Sequence, residues 1–426
     1  LAGRPRGAAR GAPDALLLLQ TRVEASEAGL RAPEAPQRGA DAPYRVALRN
    51  LGDAQYVAPM ALGHQAMWGL PETGSFELVV FGSDCEDCGN FSAYNSSLSL
   101  TYREGLLTTD QQYAGERLAS VVGHDHFSVG ALSASNQTFW NVRHARLSGA
   151  RLSDAVIGMG PPEAPMAEAW AAADAAVGRV TAYFDRGLPA SAAAAAEASA
   201  RVRVAGEVSG SLPPLGALGV ADFSICLGAE PGSDGLLVWN DSAPEASPGL
   251  FGTARVSGRH TWSANLTEAE LLVRASNVSA PAGCKQGCSA LIDSGSSLLA
   301  VPAPVLEDLH ERMKRLNAHC SNLEVLPHLT FRLGGVAISL PPSSYLARVT
   351  ADRSRRFQRL APHLYDRGRC QLLLAESRAS TEAGPLWVLG APFLRSYYTV
   401  FSRGGAGAAR ALRLAAHGGS CEPSAP

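Results

Sequence analysis

The stretch Leu291-Ile292-Asp293-Ser294-Gly295-Ser296-Ser297-Leu298-Leu299-Ala300-Val301-Pro302 reads as a buried strand, a tight turn and a second buried strand. Such a turn holds one carboxylate rigidly at the tip of a loop. On its own the pattern is ordinary, because Asp, Ser and Gly are the common residues of solvated turns. A second copy changes its weight. Glu72-Thr73-Gly74-Ser75 repeats the order carboxylate, hydroxyl, glycine, hydroxyl about half a chain earlier, again beside apolar residues. The chemistry that requires two such loops is a pair of carboxyls sharing one proton, one accepting a proton from water while the other donates to a carbonyl oxygen.

From these loops outward the chain resembles the pepsin-like aspartic proteases. Cys288 to Leu298 is similar to that family's second catalytic loop, and Gly384-Pro385-Leu386-Trp387-Val388-Leu389-Gly390 with Phe393 to Phe401 is close to a family signature. Cys320 to Pro327 and Leu340 to Tyr345 look like the strands that follow the loop. In the first half, Tyr113 to Leu132 lies without gaps on the family's flap hairpin, with Tyr113 at the flap tyrosine, and Asp154 to Gly160 resembles the strand and turn beyond it. The resemblance runs from about Tyr56 to about Leu414 and is stronger in the second half.

The resemblance implies a mostly β, bilobal acid-protease fold, with two β-rich lobes around a central cleft. It divides the chain into a leader or propeptide-like segment (1–45), an N-terminal lobe (46–228), a C-terminal lobe (229–418) and a tail (419–426). It also implies an aspartic-type endopeptidase acting at acidic pH on a peptide or protein substrate, with no cofactor. Asp293 and Glu72 would form the catalytic pair, supported by Thr73, Gly74, Ser75, Ser294, Gly295 and Ser296. Ser75 and Ser296 would each hydrogen-bond and orient the carboxyl three residues before it. Departures are equally specific. Glu72 stands where the family carries its first catalytic aspartate, and a side chain one methylene longer displaces its carboxyl by about 1 Å, enough to cost on the order of a hundredfold in rate. Val79 replaces a tryptophan that partners the flap tyrosine, and Ala114, Glu116 and Arg117 replace a small, Gly-rich flap tip. These departures motivate the alternative of a pepsin-fold pseudoprotease that binds peptides without cutting them.

Composition narrows the remaining choices. At 426 residues the chain has room for two domains, and its net charge of -2 provides no field to attract nucleic acid. No run of about 18 or more apolar residues exists to span a membrane, and Ala15 to Leu19 is too short for a signal core. No heptad pattern argues against a monomer. His-Glu-x-x-His and Gly-x-Ser-x-Gly are both absent. His124-Asp125-His126 places two imidazoles on one strand face, but on the flap hairpin it reads as structural, and no metal is expected.

The eight cysteines leave zinc, redox and disulfide readings open until the family pattern is applied, although no second Cys-x-x-Cys accompanies Cys85 and Cys88 to complete a zinc site. By resemblance, Cys85 with Cys88, Cys284 with Cys288, and Cys320 with Cys370 fall at the family's three disulfides. Cys226 and Cys421 remain, and a bond between them would tie the lobe junction to the tail. Sequons at Asn90, Asn95, Asn136, Asn240, Asn265 and Asn277 join the even cysteine count in pointing to a glycoprotein of the secretory pathway, secreted or held in an acidic compartment.

Strand-like alternation is expected over Arg45 to Leu62, Phe76 to Phe81 and Leu98 to Tyr102. Met166 to Ala176 and Ala192 to Ala200 read as helix within an Ala-rich insertion, and Val305 to Leu316 as an amphipathic helix.

Overall fold

The computed structural model describes residues 44–424 except 89–93, 114–115, 146–152, 187–190, 210, 318–319, 349–369 and 405–408. The leader lies almost entirely outside the described residues, as do the sequon at Asn90 and the flap-tip Ala114. Glu116 and Arg117 are placed as backbone only.

Two sheets account for nearly all of the strands. In the first half, the strand Gln65–Glu72 runs parallel to Ala155–Gly158, which pairs antiparallel with Leu78–Glu86 on its other side. The second half repeats this arrangement: Cys288–Ile292 runs parallel to Gly384–Leu389, which pairs antiparallel with Leu299–Pro302. In each half one strand delivers a carboxyl-bearing loop, the next strand carries the chain away, and a third strand from far along the sequence lies between them. This is the bilobal pepsin-like architecture expected from the two loops. Close packing explains a glycine in each half. A Cβ at Gly158 would sit 2.3 Å from the Glu77 nitrogen, and one at Gly390 would sit 2.3 Å from the Leu298 oxygen, so only glycine lets the returning chain pass.

The halves are joined by main-chain pairing. Arg45–Leu51 pairs with Gly235–Trp239 and with Gln55–Leu62, and Asp222–Leu227 pairs with both Gly235–Trp239 and Tyr397–Ser402. Over this shared sheet lies a continuous apolar core in which Phe223 stacks on Phe401 at 4.7 Å and Trp262 meets both rings edge-on. The Trp262 indole N–H donates to the Met159 carbonyl at 2.7 Å, binding one half to the other with a buried hydrogen bond.

Several local expectations are corrected. Leu98 to Tyr102 is not a strand. The Asn95 side chain caps the short 3-10 turn Ser96–Leu98 by accepting from the Ser97 N–H, and the next strand starts only at Arg103. Leu98 and Leu100 are consequently left exposed. Cys320 to Pro327 holds a 3-10 turn, Leu323–Val325, before the strand His328–Leu333, and Leu340 to Tyr345 ends a strand and opens the short helix Pro342–Tyr345. The insertion carries two long helices, Ala164–Asp185 and Ala192–Ser209, each extending well past the expected stretch. They pack through small residues, Ala173, Ala176, Ala198 and Ala205 being buried, while Met166, Trp170 and Val177 stay partly exposed along one face. The amphipathic helix expected after the second loop, Ala303–Met313, buries Val305, Leu306, Leu309 and Met313, as its sequence requires.

Four disulfides are present: Cys85–Cys88, Cys284–Cys288, Cys320–Cys370 and Cys226–Cys421. The last of these ties the tail to the shared sheet, and Pro423–Ser424 adds a final short strand beside Ala411–His417. Among the described residues no helix is long and apolar enough to cross a membrane.

Arg395 connects distant parts of the chain. Its guanidinium donates to the Tyr56 hydroxyl at 3.0 Å and to the Asp53 carbonyl at 2.8 Å, and it stands 5.6 Å from the Tyr56 ring centre. The adjacent Ala54 carbonyl accepts the Ser297 hydroxyl at 2.5 Å, so the same turn also steadies the second carboxyl loop. Arg395→Ala should lower stability by about 2–4 kcal/mol, because it leaves buried acceptors without their charged donor. A reduced denaturant midpoint at unchanged slope is the expected readout.

Candidate active site

The two loops meet through reciprocal hydrogen bonds. The Thr73 N–H donates to the Ser294 hydroxyl at 3.1 Å, and the Ser294 N–H donates to the Thr73 hydroxyl at 3.0 Å. Each hydroxyl then donates onward into the opposite half, Thr73 to the Ile292 carbonyl at 2.8 Å and Ser294 to the Pro71 carbonyl at 2.7 Å. Each residue gives its counterpart a backbone donor and a hydroxyl acceptor, and gives its own hydroxyl proton to a main-chain carbonyl of the opposite half. The four bonds therefore lock both loops in register.

This grip brings the carboxyls face to face across two glycines. A Cβ on Gly74 would lie 2.9 Å from the Asp293 carboxyl carbon, and one on Gly295 would lie 2.6 Å from Glu72 Oε1. Each loop glycine is thus the floor beneath the other loop's carboxyl. Glu72 and Asp293 are 1% and 5% exposed, which takes both out of bulk water.

Burial is the main reason that both carboxyls hold their protons unusually firmly. It pushes Glu72 up to about 8, with the neighbouring Asp293 charge adding to the rise and the Ser75 hydroxyl opposing it. Burial also raises Asp293, to about 6, against the opposing pull of the Gly295, Gly74 and Ser296 amides. Two carboxyls so placed do not ionise together, and the titration steps belong to the pair.

The two supporting serines behave differently. Ser75 Oγ donates to Glu72 Oε2 at 2.7 Å. Ser296 Oγ instead donates to the Leu298 carbonyl at 3.0 Å and does not reach Asp293, contrary to the symmetrical expectation. Asp293 is held by backbone amides, the Gly295 N–H lying 2.9 Å from Oδ1. No local sequence signal marks this choice, because the buried Leu298 carbonyl meets the Ser296 hydroxyl only in the folded turn.

Tyr113 ends the strand Arg103–Tyr113 opposite Glu116, at the tip of a long hairpin whose second strand is Glu116–Val129. Val79 is buried beside Trp140 of the neighbouring strand. The Asp125 carboxyl within His124-Asp125-His126 is occupied by internal bonds, accepting the Tyr94 and Thr101 hydroxyls at 2.5 Å each and the His126 N–H at 2.8 Å.

Comparisons agree with this geometry. A family profile described as eukaryotic aspartyl protease matches residues 55–186 and 214–411, leaving the helix Ala192–Ser209 outside it. The chain is 28% identical to renin-2 of Mus musculus over 374 residues, spanning 84% of this chain and 79% of that protein. It is 27% identical to gastricsin of Homo sapiens over 373 residues, with 83% and 80% covered, and 25% identical to pepsin A of Bos taurus over 370 residues, with 84% of each covered. With paired loops, duplicated strand order and a profile match over most of its length, the chain belongs to the eukaryotic aspartyl proteases.

Proposed function

We propose that the protein is an aspartic-type endopeptidase in which Glu72 and Asp293 share one proton and activate a water for attack on a peptide carbonyl. The observation that carries this reading is the pair itself: two buried carboxyls, each resting on the other loop's glycine. An extended peptide would lie between the halves beneath the hairpin ending at Tyr113, held by strand-like main-chain pairing. Burial raises both carboxyls, which carries the half-protonated state upward from the ordinary carboxylate range. The four disulfides support passage through an oxidising secretory compartment.

One observation favours a second reading, a cleft that binds peptides without cutting them. Glu72 reaches the pair through one more methylene than an aspartate would, its Cγ 2.7 Å and its carboxyl carbon 2.9 Å from the Cβ position of Gly295, the latter equal to the distance of the Asp293 carboxyl carbon from that of Gly74. If the longer side chain is the working one, Glu72→Asp withdraws the carboxyl by about 1 Å and should lower kcat by on the order of a hundredfold. If the longer side chain is what stops turnover, the same variant should gain activity. Cleavage of a denatured protein between pH 4 and 8 is the measurement. Turnover by both the parent and the Glu72→Asp variant supports the endopeptidase. Turnover by Glu72→Asp alone makes the natural chain a peptide-binding relative.

A further inference from the structure

One edge of the shared sheet concentrates positive charge in a chain whose net charge is -2. Gly252–Arg255 is the outermost strand there and pairs with Ala411–His417, Arg255 standing opposite Ala411. No Asp or Glu occurs between Glu245 and Glu268, or between Glu382 and Glu422, so the pairing lays two acid-free stretches side by side. Together they bring Arg255, Arg259, His260, Arg403, Arg410 and Arg413 to this edge. The neighbouring carboxylates are already engaged. Arg413 pairs with Glu245, Arg403 with Glu163 at 2.9 Å, and Glu268 with Arg332 at 2.9 Å. Among the described residues Arg255 and Arg259 have no carboxylate partner, and both are exposed.

The main chain beneath these two arginines is fixed. The Val256 N–H donates to the Arg410 carbonyl at 3.1 Å, and the Ser257 and Gly258 N–H groups both reach the Ser263 carbonyl, at 2.8 and 3.2 Å, closing the turn that carries Arg259 and His260. Behind that turn the Arg410 guanidinium donates to the Arg259 carbonyl at 2.6 Å. Little backbone ordering is then left for a partner to impose, and preorganisation of this kind favours binding.

We propose that this edge is a docking surface for an acidic segment of another protein, with Arg255 and Arg259 taking its carboxylates. A guanidinium fork matches a carboxylate through two parallel N–H bonds. The same edge already receives carboxylates delivered by other elements, Glu245 on Arg413 and Glu163 on Arg403. A lipid surface fits less well, because it is held by clusters of about four to eight basic residues or by inserted apolar side chains. Only two arginines here are unpaired, and among the described residues no large exposed apolar side chain lies in either stretch. The local excess of positive charge also steers an acidic partner to this face in preference to the rest of the molecule. The surface shares no residue with the two carboxyl loops.

The experiment is a titration of a fluorescently labelled oligoglutamate peptide with the full chain at low ionic strength, read by anisotropy. The peptide should bind, a labelled oligolysine should not, and the affinity should fall as salt is added. Arg255→Ser combined with Arg259→Ser should weaken binding by about tenfold, the scale of two exposed charge pairs, at an unchanged urea midpoint. Arg201→Ser combined with Arg203→Ser removes the same charge from the helix Ala192–Ser209 and should leave binding as it was. Absence of oligoglutamate binding, or equal loss in the two double variants, overturns the surface. Tighter binding of a sulfated oligosaccharide or of phosphatidylserine vesicles, lost in the Arg255→Ser, Arg259→Ser variant, overturns the choice of partner. The readout needs no turnover, so a parent that fails to cleave peptides would defeat the endopeptidase reading and leave this result standing.

Discussion

Asp293→Asn should abolish hydrolysis, lowering kcat/KM by on the order of 10⁴-fold, the upper end of what a positioned acid or base contributes. The amide is nearly isosteric, so the reciprocal bonds between Thr73 and Ser294 and the packing of the loop persist. What disappears is one of the two carboxyls that the proposed mechanism needs. The same variant should have a stability signature of opposite sign. Because both carboxyls are raised above their unfolded values, the native parent binds more protons than the unfolded chain between about pH 4 and 8. Stability contributed by the protonated pair is therefore complete below the unfolded values and is lost as pH rises through about 6 and then about 8. Asp293→Asn removes one buried ionisation, so its thermal midpoint should exceed that of the parent at pH 8 and approach it at pH 4. Loss of activity together with loss of stability at every pH would mean that the substitution unfolds the loop, and the catalytic argument would fail.

Gly295→Ala is the second large effect. Gly295 does not adopt a positive φ, so alanine meets no backbone penalty there and its consequence is steric. The new methyl would lie 2.6 Å from Glu72 Oε1, 2.7 Å from its Cγ and 2.9 Å from its Cδ, all inside van der Waals contact. Either Glu72 swings away or the loops separate. The first outcome displaces the acid by about 1 Å and costs on the order of a hundredfold in kcat, and the second overpacks a closed contact at about 1–3 kcal/mol. Gly74→Ala should be milder, since the equivalent distances to Asp293 begin at 2.9 Å. Kinetics and urea unfolding on the two variants test the order. Equal activity in Gly295→Ala and parent would show that the Glu72 carboxyl does not rest on that glycine during turnover.

The duplicated loops were legible in the sequence because their chemistry is local: a carboxylate, a hydroxyl residue, a glycine and a serine in four consecutive positions, bounded by apolar strands. The glycines Gly74 and Gly295 declare themselves the same way. Ser296 was misread because its alternative acceptor, the Leu298 carbonyl, becomes available only once the turn has closed. Leu98 to Tyr102 alternates like a strand, yet the Asn95 cap draws the chain into a turn before pairing can start. The shared sheet was hidden for a different reason. Its partners are separated by nearly half of the chain, as in Arg45 opposite Val238 and Ile225 opposite Thr399, and no local pattern carries that information.

The Cys226–Cys421 bond spans 195 positions of sequence. It makes a covalent ring of the stretch between them, which contains the whole second carboxyl loop and every strand that supports it. A single peptide bond broken within that ring, by another protease or by the protein acting on itself, would open the ring without releasing a fragment. Such a nicked molecule would migrate as intact polypeptide until its disulfide was reduced, so processing of this protein has to be judged with reductant present.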